Sequence, residues 1–390
     1  MAKNLEIIRK TKRVVIKIGS SILVGREGAH PAGAHPAGVR PGGALSLSLI
    51  SALARSVKWL KGKKVETLLV SSGAIAAGVS HSGQKSRPRT IQGLQASAAI
   101  GQPFLMHSYQ KAFARQKLKV AQLLLTRGDL EDRARFLNAK NTLNELLRQG
   151  VVPIINENDS VAFEEIRVGD NDNLAALVTN VADADLLILL TDQDGFYTSD
   201  PREGRGATRI PLVEHIDSET AARAAGSTEE LTVGGMKTKI EAVKKAARFG
   251  IPTFIANGRD PQILRRIFAG KDVGTLFLPA QDSLTARKHW IAHTLTPVGR
   301  ITVDPGARRA LVEGKKSLLP SGIVASEGCF HQGDPVDILD PEGNLIARGL
   351  VAYDGTELSE ILGKKSSEIE KILGYKGPDE VIHRNDLVLL

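Results

Sequence analysis

The sequence predicts an α/β domain, in which helices sandwich a largely parallel sheet, followed by a small and mainly β domain. As far as residue 278, short continuous apolar runs alternate with helical segments of ten or more residues, a pattern typical of parallel strands buried on both faces. Beyond residue 298 the runs are shorter and cluster around turns. The 390 residues also exceed what one hydrophobic core usually serves. We therefore expect a first domain over 1–278, a linker over 279–298 and a second domain over 299–390.

The first domain opens with the strand RVVIKI at 13–18, whose β-branched run ends at a Gly-Ser-Ser turn. Segment 24–43 contains AHPAG twice, and its Pro and Gly are too dense for a helix or a strand, so we expect a flexible loop or an insertion. The alternation then continues with predicted helices over 44–62, 93–116, 131–148, 173–182 and 236–248, and predicted strands over 65–70, 118–125, 151–155, 185–190 and 252–256.

The second domain contains PVDILDPEGNLIARGLVAY at 335–353, which predicts two strands joined by a hairpin turn at 341–344. Two short helices are expected near 305–313 and 366–373.

The charge changes at the same place as the pattern of secondary structure. Residues 296–390 carry 11 Lys and Arg against 15 Asp and Glu, whereas the whole chain has a net charge of +9. The basic first domain therefore favours anionic ligands, either small acids or nucleic acid.

Composition excludes several classes of protein. The single cysteine, Cys329, cannot form an internal disulfide, and the chain has no CxxC. The HxxxH spacing at His289 and His293 lacks the glutamate of a zinc hydrolase, so we expect no structural metal. No apolar stretch approaches the roughly 20 residues of a membrane span, and we expect neither a signal peptide nor a membrane partner. The composition favours a cytoplasmic protein.

The candidate chemistry lies in polar clusters that follow the predicted strands, where open α/β sheets bind their ligands. The chain has neither a P-loop nor a GxGxxG sequence after a strand. Two of these clusters are each able to hold phosphate. One is Lys17 with the Gly19-Ser20 turn, and the other is the pair of glycines at 234–235 with Lys237 and Lys239. The alternatives to phosphate binding are that the first cluster is a plain turn after a strand and that Lys237 is only a solvated helix residue.

Two further clusters, NEND at 156–159 and GDNDN at 169–173, have more polar groups than a helix cap requires. Asp172 is placed either to cap the next helix or to accept charge from lysines. Together the clusters favour a zwitterionic or amide-like ligand.

Seven segments of the first domain resemble the amino acid kinase family: KIGSS, VSSGAIAAG, LLTRGDLEDRARFLNAKNTL, PIINENDSV, VGDNDNLAAL, LLTDQDGFYTSDPR and GGMKTK. Residues 296–390 resemble a PUA domain. The resemblance implies the amino acid kinase fold and ATP-dependent phosphorylation of the γ-carboxylate of L-glutamate to L-glutamyl 5-phosphate, the first committed step of proline biosynthesis.

The resemblance also implies roles for individual residues. Lys17 and Lys239 would contact the transferring phosphoryl group, and Asp172 would hold both lysines. Glutamate would be bound by Ser72, Asp159 and Asn171. The nucleotide would be bound by Gly19, Ser20, Thr191, Asp192, Gly234, Gly235, Met236, Lys237 and Thr238, with Mg²⁺ bound mainly through the ATP phosphates. The AHPAG insertion, and Val233 where a small polar residue is expected, depart from the family's pattern.

Two other functions remain open from the sequence. The substrate could be another acid taken by kinases of this fold, such as N-acetylglutamate, aspartate or a nucleoside monophosphate, although the carboxylates of NEND and GDNDN favour a free α-ammonium. The PUA domain could bind RNA, but its negative charge balance argues against strong contact with a phosphate backbone. We also expect a homo-oligomer, and proline as a feedback inhibitor at the glutamate pocket, with segment 164–167 as the place where substitutions relax inhibition.

Overall fold

The computed structural model describes residues 2–24, 45–84, 86–161, 170–199, 206–216, 235–280, 288, 291–292 and 295–390. The chain divides into two compact units, one formed by 1–130 with 139–280 and the other by 281–390 with 131–138. The AHPAG repeat, Val233, Gly234, both HxxxH histidines and segment 164–167 lie outside the described residues.

The first unit is built on a sheet of eight strands in the order β3-β4-β2-β1-β5-β9-β10-β8. All neighbouring pairs are parallel except β9 with β10. A separate two-stranded ribbon pairs β6 with β7. The strands are β1 (Arg13–Ile18), β2 (Glu66–Ser71), β3 (Val120–Leu125), β4 (Val152–Glu157), β5 (Leu186–Thr191), β6 (Phe196–Tyr197), β7 (Arg209–Ile210), β8 (Leu212–Val213), β9 (Thr253–Asn257) and β10 (Thr275–Phe277).

Ten helices are described up to residue 280: α1 (Ala2–Lys10), α2 (Ser20–Leu23), α3 (Leu47–Gly62), α4 (Ala74–Ser82), α5 (Ile91–Ala114), α6 (Arg127–Glu131), α7 (Arg133–Arg148), α8 (Asp170–Val181), α9 (Met236–Arg248) and α10 (Ile263–Phe268). The predicted fold class, a largely parallel sheet with helices packed on it, is confirmed. The predicted strands and helices of this unit are present with ends shifted by up to about three residues. None of the described helices combines the length and the apolar character needed to cross a bilayer.

The register of the central strands brings the polar clusters to one edge of the sheet. Ile18 of β1 lies opposite Ser71 of β2 on one side and opposite Leu190 of β5 on the other. The strands end together because they are parallel and in this register. The residues that follow them therefore share the carboxyl edge of the sheet.

Helices α4 and α5 approach each other unusually closely through two glycines. A Cβ atom added at Gly101 would overlap the carbonyl oxygen of Ala74 and the backbone nitrogen of Gly78, and one added at Gly78 would overlap the carbonyl oxygen of Ser97. Backbone meets backbone at this crossing, so no side chain can move aside to make room. The close approach holds α5 near β2 and the residues that follow it.

The second unit has a five-stranded sheet in the order β12-β11-β13-β14-β15 and its own apolar core. Asn344 accepts a hydrogen bond from the backbone of Asp340 in the turn between β13 and β14, and Gly343 has a φ of 86° there, as the predicted hairpin requires. The elements are β11 (Gly299–Val303), β12 (Ile323–Gly328), β13 (Pro335–Leu339), β14 (Leu345–Leu350), β15 (Leu387–Leu389), α11 (Pro305–Val312), α12 (Gly355–Ile361) and α13 (Ile369–Leu373). The functional boundaries expected at 278 and 299 stay a prediction.

The glycine crossing predicts that G101A destabilises the protein. The added methyl group must push two backbones apart, and overpacking of this kind costs about 1–3 kcal/mol. G62A is the matched control, because a Cβ atom at Gly62 in α3 meets nothing within 4 Å. Alanine there should be neutral or stabilising by up to about 1 kcal/mol. Urea unfolding of the two variants beside the parent measures both effects, and equal stability of G101A and G62A would contradict the close crossing.

Candidate active site

Three charged side chains from three elements meet beneath the carboxyl edge of the first sheet. Lys17 comes from β1, a central strand that is buried along most of its length. Asp172 lies in the first turn of α8, and Lys239 lies in the first turn of α9. Helix α8 packs against both β1 and α9, and this packing brings residues that are far apart in the sequence into contact.

Both lysines bind the same carboxylate. Lys17 Nζ lies 2.6 Å from Asp172 Oδ1, and Lys239 Nζ lies 3.3 Å from Asp172 Oδ2. Thr238 Oγ1 lies 3.0 Å from Asp172 Oδ2 and is placed to donate to it. The side chain of Asp172 is completely buried, and those of the two lysines are 6% and 9% exposed. The cluster is therefore almost fully withdrawn from bulk water.

The pKa values follow from this arrangement. Burial alone raises the pKa of Asp172, but the charges of Lys17 and Lys239, with hydrogen bonds from Lys17 and Thr238, outweigh it and hold the pKa below the ordinary 3.8. Burial lowers the pKa of Lys17 below its ordinary 10.5, and the nearby Lys239 acts in the same direction against the attraction of Asp172. Asp172 is consequently an ionised partner of the lysines and a poor proton acceptor.

The cluster carries more positive than negative charge. With both lysines protonated, two ammonium groups face one carboxylate, and the first turn of α9 adds backbone N–H groups at the positive end of its helix dipole. Net positive charge in a poorly hydrated place is stabilised by an anion, because a buried charge without a partner is costly. The arrangement is therefore suited to a phosphoryl group.

A second, uncharged cluster begins one residue before Asp172. Asn171 Nδ2 lies 2.9 Å from Ser72 Oγ, 3.0 Å from the carbonyl oxygen of Ser71 and 3.1 Å from Asn156 Oδ1, and donates toward all three. The amide nitrogen of Asn171 is thus fully occupied. Its oxygen, Oδ1, is buried and has no hydrogen-bond partner among the described residues. This oxygen is an acceptor that awaits a donor.

The remaining predicted site residues lie around the same edge. Asp159 follows β4 and raises the pKa of the nearby Arg87, although burial lowers that pKa by more. Thr191 ends β5, and its hydroxyl donates to Asp192 Oδ1 over 3.3 Å. Gly19 N donates to the carbonyl oxygen of Leu190 over 3.4 Å.

The other nucleotide-site candidates belong to two helix starts. Ser20 begins α2, Gly235 is the N-cap of α9, and Met236 is the first residue of α9. Lys237 is exposed. This exposure is what the structural alternative of a solvated lysine predicts.

The structure resolves one alternative and adds residues that the sequence reasoning missed. Asp172 is not an N-cap, because α8 begins at Asp170 rather than at the predicted 173 and the carboxylate turns toward the lysines. The hydrogen bond between Thr238 and Asp172 was not expected. Asn156 and Gln102 were also missed. Asn156 is part of the NEND motif, which marked this segment as a candidate site. For Gln102 the only sequence signal of a functional role is that a polar residue lies on the buried face of a helix.

Comparison with known proteins agrees with this architecture. The model of the "Amino acid kinase family" matches residues 12–257, and the model of the "PUA domain" matches residues 299–373. A "Glutamate 5-kinase" of Geobacter sulfurreducens is 52% identical over 384 residues, which cover 98% of this chain and 99% of the relative. Relatives of the same name from Geobacter metallireducens and Pelobacter propionicus are 51% and 49% identical, with 98% and 99% of this chain and 99% of each relative covered. The chain therefore belongs to the amino acid kinase family, and within it to the glutamate 5-kinases.

The shared carboxylate predicts a large and pH-dependent loss of stability in D172N. The amide leaves two buried ammonium groups without a counter-charge, and breaking a buried ion pair in this way costs about 3–5 kcal/mol. Because the pKa of Asp172 is lowered in the folded protein from 3.8, its stabilisation is fully present above about pH 4 and is lost as the pH falls through the lowered value. The gap between parent and D172N should therefore be widest at neutral pH and narrow as the pH falls below about 4.

Urea unfolding between pH 3 and pH 7 measures the gap, with E145Q as the control. This variant makes the same carboxylate-to-amide change in the exposed pair of Glu145 and Arg148 and should alter stability far less. A D172N protein as stable as the parent at pH 7 would mean that the lysines do not depend on this carboxylate.

Proposed function

We propose that this chain transfers the γ-phosphoryl group of ATP to the γ-carboxylate of L-glutamate, giving L-glutamyl 5-phosphate and ADP in the first step of proline biosynthesis. The observation that carries the proposal is the buried, net positive cluster of Lys17, Asp172 and Lys239 directly beside the amide of Asn171. The membership of the chain in the glutamate 5-kinases supports the same substrate. ATP is the phosphoryl donor that a kinase of this family uses.

The reaction requires charge compensation and no general base. A carboxylate oxygen of glutamate attacks the γ-phosphorus, a new O–P bond forms, and the bond from phosphorus to the bridging oxygen breaks with its electrons going to ADP. The attacking group is already ionised at neutral pH, so no proton has to be removed. Positioning and neutralisation of the phosphoryl oxygens then supply most of the rate, and two ammonium groups are suited to that work.

In this proposal Asp172 is a positioning residue. Its carboxylate pairs with the charge of Lys17 and accepts hydrogen bonds from Lys239 and Thr238, which fixes both ammonium groups relative to each other. The lowered pKa makes it unsuited to take a proton. Lys17 and Lys239 are the catalytic residues that touch the transferring group.

The glutamate pocket is assigned to Ser72, Asp159 and Asn171. The unpartnered oxygen of Asn171 accepts from the α-ammonium, and Asp159 supplies the opposite charge. The oxygen of Ser72 already accepts from Asn171, so its own proton is free to go to a substrate carboxylate. An N-acetylated substrate would bring a neutral amide in place of the ammonium and would not supply the positive charge that Asp159 is proposed to bind.

The nucleotide is assigned to the neighbouring turns at Gly19 and Ser20, at Thr191 and Asp192, and at the start of α9 from Gly235 to Thr238, with Gly234 completing the set. No three His, Cys, Asp or Glu side chains among the described residues are grouped so that they could hold a metal ion. We accordingly assign Mg²⁺ to the phosphates of ATP rather than to a cage of protein ligands.

Several broader assignments belong to the same proposal. Proline, a small zwitterion, is assigned to the glutamate pocket as a competing inhibitor. The protein is assigned to the cytoplasm, in keeping with its single cysteine. It is also assigned as a homo-oligomer, because the exposed Ile100 and Phe104 on one face of α5 offer an apolar surface for a second copy. RNA is not assigned as a ligand, because residues 296–390 are net negative.

An ATP-dependent hydroxamate assay with L-glutamate, N-acetylglutamate and aspartate side by side tests the proposal. Hydroxylamine traps an acyl phosphate, so the readout reports the proposed product class directly. We expect turnover with L-glutamate far above that with the other two acids. Preferred turnover of N-acetylglutamate or aspartate would move the chain to a different substrate of the same fold, and no turnover with any acid would overturn the kinase assignment.

The two buried lysines predict that their removal lowers the rate of the chemical step more than it weakens substrate binding. K17M and K239M should each lower kcat by about 100-fold or more, with a smaller change in the KM for glutamate, because the lost charge acts mainly on the transition state. K244M, which removes a partly exposed lysine from the same helix as Lys239, is the control. Steady-state kinetics with near-normal kcat in either test variant would remove that lysine from the mechanism.

The separate cores of the two units predict that a chain ending at Pro279 keeps its kinase activity. Every residue assigned to chemistry lies before residue 240, and each unit has an apolar core of its own. The hydroxamate assay on the shortened chain measures the activity, and calorimetry establishes that it is folded. A folded but inactive shortened chain would show that the catalytic unit extends beyond the expected boundary.

A further inference from the structure

We infer that Gln102 of α5 is a positioning residue for recognition of the substrate ammonium, acting through Asn156 on the amide of Asn171. The inference rests on the proposed function, since it concerns the pocket assigned to L-glutamate. Gln102 stands on a helix of the first unit, away from the motifs that carry the chemistry. It is linked to the pocket by two side-chain hydrogen bonds in series.

The first link joins α5 to β4. Asn156 Nδ2 donates to Gln102 Oε1 over 2.8 Å in a buried contact, and Asn156 is only 2% exposed. The second link joins β4 to α8, where Asn171 Nδ2 donates toward Asn156 Oδ1 over 3.1 Å. Asn156 therefore accepts from Asn171 through its oxygen and donates to Gln102 through its nitrogen.

Backbone groups fix the direction of this series of amides. The backbone N–H of Glu157 can only donate, and it lies 2.9 Å from Asn156 Oδ1, so that atom must be the oxygen. The carbonyl of Ser71 can only accept, and it lies 3.0 Å from Asn171 Nδ2, so that atom must be the nitrogen. These contacts establish which amide atom is oxygen and which is nitrogen, and the hydrogen bond from Asn156 to Gln102 adds to the stability of that orientation.

The consequence falls on Asn171 Oδ1. With the amide nitrogen turned toward Ser71, Ser72 and Asn156, the oxygen is left buried and without a partner among the described residues. A reversed amide would present N–H groups to an ammonium and repel it. The series that starts at Gln102 therefore selects for a ligand that donates, and an α-ammonium has three N–H donors.

Gln102 is placed to stabilise this orientation and nothing else in the described network. Its side chain is 9% exposed, and its Nε2 atom is buried with no partner among the described residues. Only the oxygen is used. A residue that supplies an acceptor at this point should therefore replace glutamine, whereas an apolar residue of the same size should not.

The experiment compares Q102M, Q102E and S97A with the parent. Methionine keeps the volume of glutamine and removes the acceptor, while glutamate keeps an acceptor oxygen for Asn156. Ser97 lies on the same helix, is buried, and its hydroxyl has no partner among the described residues, so S97A controls for disturbance of α5. Each protein is assayed for kcat, for the KM values of L-glutamate and ATP, and for the Ki of glutarate, the five-carbon diacid that has no ammonium group.

We expect Q102M to raise the KM for L-glutamate about tenfold, which corresponds to about 1.4 kcal/mol, while the KM for ATP and the Ki for glutarate stay within about twofold of the parent. Q102E should recover most of the affinity for L-glutamate, and S97A should behave like the parent. Glutarate separates the two explanations because a merely deformed pocket loses both diacids alike, whereas a misdirected acceptor penalises only the one that carries an ammonium.

Three outcomes would overturn the inference. The first is an unchanged KM for L-glutamate in Q102M. The second is a parallel rise for L-glutamate and glutarate, which would make Gln102 a structural residue. The third is a rise in Q102M with no recovery in a Q102E protein that unfolds at the parent temperature, which would show that the effect does not come from the lost acceptor. A parent protein without glutamate-dependent turnover would contradict the proposed function itself, and is distinguished from these outcomes because it needs no variant.

Discussion

The candidate site depends on one carboxylate that serves two buried lysines. Taking three charges out of water is costly, and the attraction between them repays that cost only when the geometry is close. Asp172 meets this condition at 2.6 Å from Lys17 and 3.3 Å from Lys239. Because it compensates only one of the two positive charges, the folded protein retains an unbalanced charge at a fixed place. That imbalance is what an incoming phosphoryl group can relieve.

The parallel sheet supplies the geometry that this cluster requires. Lys17 is held by a strand with neighbours on both sides, while Asp172 and Lys239 lie in the first turns of two helices that pack against each other and approach the same edge. Strand ends and helix starts alternate along such an edge, so charged side chains and backbone N–H groups converge there without long loops. The rigidity of the site follows from elements that are needed for the core in any case.

Much of the fold could be predicted from the sequence, because buried parallel strands are continuous apolar runs and the intervening helices are long. Helix α4 was missed since its AIAAG start has no amphipathic period, and its glycine serves the crossing with α5. The residue types of the charged cluster were also predictable, with the family resemblance naming Lys17, Asp172 and Lys239. Thr238 as a donor to Asp172, and the series from Gln102 to Asn171, could not be predicted. Both depend on the distance between elements that are remote in the sequence, and the amide orientations involve backbone groups of Ser71 and Glu157 as well as Gln102.

The charged and uncharged clusters divide the work of recognition. Ammonium groups attract any phosphate or carboxylate, so Lys17 and Lys239 can promote transfer but cannot distinguish one acid from another. Discrimination among acids must come from groups that respond to the α-substituent of the substrate. The oxygen of Asn171 is such a group, because a neutral dipole of fixed direction favours a donor and disfavours an acceptor at the same point. Asn171 and Asp172 are adjacent in the sequence, so in the proposed mechanism the first turn of α8 directs one side chain to substrate choice and the next to the chemistry.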